Sequence, residues 1–594
     1  MISPITAAIT VSNELFAQAI VVIDRSRADT LIEDYYRATA GTGGRTPSGI
    51  RYTMRAVLVA GLLIVMLQRP PTIRAILAMI SDFSDQQLDQ VGMGGQDLTA
   101  ARSNSKRAYA KFHAWLSRRL EPLDSSPDIR ARRTLNKDHR DQIASRTLEQ
   151  REQSIAARER IADIVNSIVL GSIHDTLPEG FVGDLVADES TFDLAGDAYD
   201  LGAAPGRKRA AAYCGNYYAR DRVVKTTDPA DVMKLAGKGK AAFGLGLTAI
   251  TRVGPPHALR SIPPVIVGIS LHRTTSGDGA AVAEAIDQAR RNGLLPDRPG
   301  GCRWPPLVVD MGYNPKEGFA DLMIDRRYAW VGRYPKSWNI VHPAAPSKPD
   351  GPLPGPIQIA GAFYCPAAAK LAKQFSVQST SVMLRQSPPG FLRHDDRLAA
   401  MLPMLMGQNS RPFRAQPTAG KPLTGRHRPA EVTKIKLVCP ASMGRVRCPL
   451  KPSSMTAEAD IPLLEPERAA ATYRCCTNGS VTVTLTPAQL KRAQWGAPPG
   501  SWEHTLHFEA ARALTEQRFS ILKSRSVTGI EHLKFGARRE PMIKLFLALA
   551  VAAANLNAQE AYERRTDKTE SVRTRWRMLT EDLGHPPTRT PPRT

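Results

Sequence analysis

The chain has 594 residues, 80 of them Lys or Arg and 56 Asp or Glu, for a formal net charge of +24. An apolar share of 42% supports ordinary packed cores in two to four domains, and seven cysteines in so long a chain argue against a disulfide scaffold. The cationic surplus points to a polyanionic partner, nucleic acid foremost; the bland alternative is an Arg-rich protein from a high-GC genome.

The amino terminus, MISPITAAITVSNELF, lacks both a basic leading region and a continuous apolar stretch, so no signal peptide is expected. Residues 1–175 read as mostly helical. RYTMRAVLVAGLLIVMLQ (51–68) is one strong helix, and RPPTIRAILAMI (69–80) opens the next, with prolines near its start. RAYAKFHAWLSRRLEPL (107–123) interleaves aromatic and basic residues at helical spacing, and 130–169 is a highly charged helical region. A basic helical module of this kind can bind a duplex; a bundle with solvated charged faces fits equally well. The most apolar runs, 56–67 and 545–554, fall short of the roughly 20 residues that span a bilayer. They are expected to be buried helices in a cytoplasmic protein with no membrane association.

From 176 to 340 the pattern changes. LVAD (185–188) is a short apolar run ending in Asp188. AAFGLGLTAITRV (241–253) and PPVIVGISLHR (263–273) read as strands. GDGAAVAEAIDQARRNG (277–293) reads as a helix stopped by Gly293, and PPLVVDMGYN (305–314) is a second apolar run ending in Asp, at Asp310. This order predicts an α/β fold, a mixed sheet flanked by helices. Residues 341–500 are rich in Pro and Gly, carry five of the seven cysteines, and read as an insertion with long loops; SVTVTLTPAQ (480–489) holds one strand. Residues 501–560 return to apolar helix. The basic segment 561–594 ends in GHPPTRTPPRT, a composition expected to be disordered.

In FEAARALTEQRFSILKSR (508–525) a helical periodicity brings Arg512, Glu516 and Lys523 to one face, with Ala510, Leu514 and Ile521 opposite. Alone, this is a solvated face with an i,i+4 ion pair. Two Asp-ended strands alter that. If they are neighbours, Asp188, Asp310 and Glu516 cluster, and three carboxylates repel unless a cation holds them. Oxygen ligands suit Mg²⁺ or Mn²⁺, and two such ions can cut a phosphodiester. A strand-end turn or cap is the ordinary role for each Asp. Glu189 and Asp193 are near enough to be confused with Asp188, which is preferred because it ends the apolar run.

LVADES, LVVDMGYN and ARALTEQRFSILK together resemble the three acidic blocks of DDE-type bacterial insertion-sequence transposases. The last matches the Arg-x3-Glu-x6-Lys part of a Tyr-x2-Arg-x3-Glu-x6-Lys signature through Arg512, Glu516 and Lys523; the Tyr position is Glu509 here. The resemblance spans about 181–335 and 505–557. It implies a ribonuclease-H-like catalytic core interrupted by an insertion, two divalent ions on Asp188, Asp310 and Glu516, and phosphate contacts from Arg512 and Lys523. It also implies double-stranded DNA with terminal inverted repeats as substrate, target DNA as acceptor, and a homodimer on DNA. The rivals are a related metal-dependent nuclease and a catalytically dead, domesticated DNA-binding protein. Trp330 and Trp338 lie among cations and are either base-stacking residues or core. Cys365, Cys439, Cys448, Cys475 and Cys476 are candidate Zn²⁺ ligands that would staple the insertion, although no CxxC pair is present.

Overall fold

The computed structural model describes residues 11–39, 49–103, 105–130, 132–195, 199–200, 208–220, 240–274, 278–297, 304–313, 318–335, 338–342, 355–373, 375–387, 389–416, 431–465, 473–566 and 571–593. The fold is mixed α/β. Five principal strands, Leu185–Asp193 (β1), Lys240–Arg252 (β2), Ile266–Arg273 (β3), Pro306–Val309 (β4) and Ala329–Gly332 (β5), lie in the order β3-β2-β1-β4-β5. Tyr199–Asp200 and Asn216–Arg220 complete a seven-stranded sheet along β2. β1, β2 and β3 are antiparallel neighbours, whereas β4 and β5 run parallel to β1. A parallel step needs a crossover. The helix Asp278–Arg291 provides it between β3 and β4, stopping as expected before Gly293 at φ 66°.

The helices that position the sheet are Asn13–Ser26 (α1), Met54–Met66 (α2), Leu148–Gly171 (α3), Trp502–Leu522 (α4), Glu540–Glu563 (α5) and Ser571–Leu583 (α6). α5 is apolar on every side and packs against α1-buttressed α2, α3 and β3. It extends the 545–554 run to 24 residues, long and apolar enough by composition to cross a bilayer, yet 94% of an 18-residue apolar window within it is buried in protein. The run continues because NLNAQEAYE contains neither Pro nor Gly to stop it. One hydrophobic core runs through α1, α2, α3, α5 and the inner face of the sheet. The N-terminal helices, expected as a separate region to 175, therefore share a core with the sheet.

The insertion is more regular than its composition predicts. Among its described residues are two small antiparallel sheets, one containing Ile357–Ile359 (β6) and Ala362–Tyr364 (β7), the other Gly407–Gln408 (β8), Val432–Val438 (β9) and Ser480–Thr484 (β10). The predicted strand in SVTVTLTPAQ is β10. A second core joins this region to Trp502 and Leu506 of α4 and to Leu579 and Leu583 of α6. Most of the two Pro-rich stretches, 343–354 and 417–430, lies outside the described residues. The GHPPTRTPPRT segment is docked, contrary to expectation. Thr588 and Thr590 donate backbone N–H groups to Asp395 (2.8 Å) and Glu503 (3.0 Å), and Arg593 donates to the Gly496 carbonyl at 2.9 Å. Proline-rich chain loses little conformational entropy on ordering, so a few such bonds are enough to hold it.

Amide side chains close both edges of the sheet. Asn166 of α3 accepts from the Ile269 N–H (2.9 Å) and donates to the Ile269 carbonyl (3.0 Å). Asn555 of α5 treats Ile266 the same way, both bonds at 2.9 Å. At the opposite edge Gln494 accepts from the Gly332 N–H (3.2 Å) and donates to its carbonyl (2.8 Å). All three side chains are buried, so each stands in for a missing strand. Asn555→Leu keeps the volume but leaves two buried backbone groups of Ile266 unpaired. It is expected to cost roughly 2–4 kcal/mol in urea denaturation; an unchanged midpoint would show that the amide clamp contributes nothing.

Candidate active site

The runs LVAD and LVVD lie side by side in parallel, with Leu185 opposite Leu307, Val186 opposite Val308 and Ala187 opposite Val309. The next residue on each is the aspartate. Strand alternation sends Leu185, Ala187, Leu307 and Val309 into the main core. Val186, Val308 and Val331 take the other face, where they meet Phe508, Ala511 and Leu514 of α4. Asp188 and Asp310 follow Val186 and Val308 by two residues and so share the α4 face.

α4 starts at Ser501, whose hydroxyl accepts from the His504 N–H at 3.3 Å. Its first two turns are buried nearly all round by Trp502, His504, Thr505, Leu506, His507 and Phe508. The charged stripe is confined to the second half. There Arg512 forms an ion pair with Asp310 and donates from Nε to Glu516 at 2.9 Å. Burial pushes the Asp188 carboxyl up to about 6, with nearby Asp310 and Glu516 adding to the rise and the Glu189 N–H and Arg512 opposing it. Burial works against the Arg512 charge, but Asp310, Glu516 and Asp188 outweigh it and raise its pKa. Asp188, Asp310, Arg512 and Glu516 thus form one electrostatic unit. Each aspartate also accepts the next backbone N–H, Glu189 at 2.8 Å and Met311 at 2.6 Å, so the ordinary turn role is present as well.

Three oxygen-donor side chains around a partly buried position suit a hard divalent cation. Arg512 occupies that counter-charge role here. Among the described residues no three His, Cys, Asp or Glu side chains stand at metal-ligand spacing. The guanidinium spans Asp310 and Glu516 instead, which is what a stand-in cation does. Of the alternatives near Asp188, Asp193 accepts from the Tyr218 hydroxyl at 2.7 Å, off the α4 face.

Lys523, at the carboxyl end of α4, is exposed and lies seven residues, about 10 Å along the axis, beyond Glu516. Its Nζ sits 5.1 Å from the Phe192 ring centre at the end of β1. Trp330 does not join the site. It is 1% exposed in β5, edge-on to Phe319 and Trp495, which removes it as a base-stacking residue and corrects that expectation. Trp338 is half-buried against Tyr334. His504, held by Gln494 at 2.9 Å, is pushed down to about 3 by burial and His507, which fits a structural group.

Glu509, which stands at the Tyr position of the signature, does something the sequence did not foreshadow. It accepts from the backbone N–H (2.9 Å) and hydroxyl (2.7 Å) of Thr380 and pairs with Arg575 of α6 at 3.2 Å. These partners lie 129 and 66 residues away, and no local motif announces them. Together they frame a cavity of about 600 Å³ that opens onto Arg512 and Glu516, with Arg333 also on its wall. No family model, curated protein or solved structure matches this chain.

The raised Asp188 value has a definite sign. A carboxyl whose folded pKa exceeds its unfolded value of 3.8 favours the fold at low pH and loses that contribution as pH rises towards 6. In metal-free buffer, Asp188→Asn is expected to stabilise the protein at pH 7.5 by about 1–3 kcal/mol, with the gain shrinking as pH falls below 5. Equal gains at both pH values would contradict a charged, desolvated Asp188.

Proposed function

We propose that the protein is a metal-dependent DNA transposase of the DDE type, with a ribonuclease-H-like catalytic core. The observation that carries this is the in-register pairing of two Asp-ended strands beneath a helix whose Arg and Glu close the carboxylate group. A central strand carrying the first Asp, a parallel neighbour carrying the second and a crossover helix between the sheet halves support the ribonuclease-H-like reading.

In this reading Asp188, Asp310 and Glu516 hold two Mg²⁺ or Mn²⁺ ions, which when bound supply an activated attacking oxygen and stabilise the leaving oxygen of a phosphodiester. Arg512, displaced from its counter-charge role, is free to meet a phosphate. Lys523 offers a second cationic contact further along the same helix. Exposed Lys106, Arg107, Lys111 and Arg118, on the helix Lys106–Leu120, offer a basic surface to duplex backbone. Such a protein acts in the cytoplasm on double-stranded DNA bearing terminal inverted repeats. It cuts the element ends, and each freed 3′-hydroxyl attacks target DNA, with a homodimer holding the two ends.

The test is incubation of the protein with supercoiled donor DNA carrying the flanking inverted repeats, target DNA and Mg²⁺. Joined products are expected; cutting without joining would favour the nuclease, and binding without either the catalytically dead protein. Asp188→Ala, Asp310→Ala and Glu516→Ala should each reduce cleavage at least about a hundredfold while most DNA binding remains. Near-normal joining by any one of them would remove that residue from the site.

A further inference from the structure

The insertion brings four cysteines from distant parts of the chain to one end of its second sheet. Residues 404–408 run between β7 and β9. The Cys365 N–H donates to the Met404 carbonyl and the Met406 N–H to the Phe363 carbonyl, both at 2.9 Å, while Gly407 pairs with Val438. Cys365 and Cys439, the residues that follow β7 and β9, therefore flank one short strand. The Cys439 N–H donates to the Gly479 carbonyl at 2.7 Å, just beyond the helical turn Arg474–Thr477 that carries Cys475 and Cys476. Cys448 begins a turn closed by its bridge to Lys451, and Lys451 Nζ donates to the Thr477 carbonyl of the same helical turn at 3.1 Å. All these thiols are free.

Their electrostatics agree with this placement. Burial pushes the Cys365 thiol up to about 12, and Cys439, Cys476 and Cys448 each add to the rise. The Cys448 thiol is raised by burial and again by Cys439 and Cys476. Cys475 differs from Cys476 in being fully buried. The neighbouring Cys476 raises the Cys475 thiol most, burial adds to this, and Cys365 and Cys439 raise it further. Cys475 also lies against Gly355, where an added Cβ would come within 2.7 Å of its sulfur. Its side chain is 2% exposed and belongs to the main core.

We propose that Cys365, Cys439, Cys448 and Cys476 form a structural zinc site, with Cys475 packed against Gly355 in the core and not a ligand. Four thiolates suit tetrahedral Zn²⁺, with Zn–S distances of about 2.3 Å. Each thiol gives up its proton to solvent on binding, and Lys451 is placed to offset part of the resulting negative charge. No three of these groups stand at ligand spacing among the described residues, so the side chains close on the ion from backbones already tethered. β6, β7 and β8 have only three, three and two residues, so strand pairing adds little around Cys365 and a metal would tether it.

The experiment uses the full-length protein, washed with EDTA and analysed for metal by mass spectrometry, with a Co²⁺-exchanged sample examined by absorption. About one zinc per chain and the sulfur-to-cobalt bands of a tetrahedral thiolate site are expected. Cys365→Ser, Cys439→Ser, Cys448→Ser and Cys476→Ser should each lose most of the zinc, whereas Cys475→Ser keeps it. Unmodified protein with neither zinc nor cobalt–thiolate bands overturns the site, even if some variants fail to fold. Disulfides among these cysteines in freshly purified protein do the same. Zinc lost from Cys475→Ser but kept by Cys476→Ser overturns the ligand assignment.

Discussion

Carboxylates that share one face of a sheet repel one another and lose hydration together, and the position of α4 is governed by the cation that offsets this. Arg512 reaches Asp310 on β4 and Glu516 one turn along its own helix. It can do both only if α4 keeps its register over the sheet. The surrounding structure holds that register. Trp502 donates from its indole N–H to Asp395 at 2.9 Å, Glu503 accepts from Thr590, and Glu509 ties the helix to Thr380 and Arg575. Insertion, helix α6 and the Pro-rich segment after it thus all converge on one helix. An arrangement in which a single guanidinium neutralises several carboxylates is also one that a stronger cation can take over, which links the metal-free geometry to the proposed chemistry.

Much of this was legible in the sequence because the signals were local. Asp188 and Asp310 each end a run of apolar residues, and α4 keeps Arg512 and Glu516 at i,i+4. The helices Met54–Met66 and Asp278–Arg291 and the strands β2, β3 and β10 follow periodicity and stop signals. What was not legible depends on pairing between distant segments. No composition or period states that Leu185 lies opposite Leu307, or that Glu509 finds Arg575. Trp330 shows the opposite hazard. It sits among arginines in the sequence, yet alternation along β5 turns it inward against Trp495. The Pro-rich segment near 590 was misjudged because its order comes from bonds to Asp395, Glu503 and Trp495, none of them nearby in the chain.

The buried amides tie the two large layers into one cooperative unit. Asn166 belongs to a helix of the N-terminal region and Asn555 to α5, and both end on β3. Gln559 extends the link by donating to the Ser172 carbonyl at 2.8 Å. A buried amide bonded at both ends is costly to disrupt from either side. The helical layer is therefore a wall of the sheet's core, and its exposed basic surface is carried at a fixed angle to the carboxylates.

The same amides bear on how copies of this chain can meet. Ile266 and Ile269 on one border of the sheet, and Gly332 on the other, offer their backbone groups to side chains of their own molecule. A strand arriving from a neighbour finds those positions already taken. Copies brought side by side therefore meet through side-chain surfaces, which can be matched and limited in number, and these borders are guarded against open-ended strand-to-strand polymerisation.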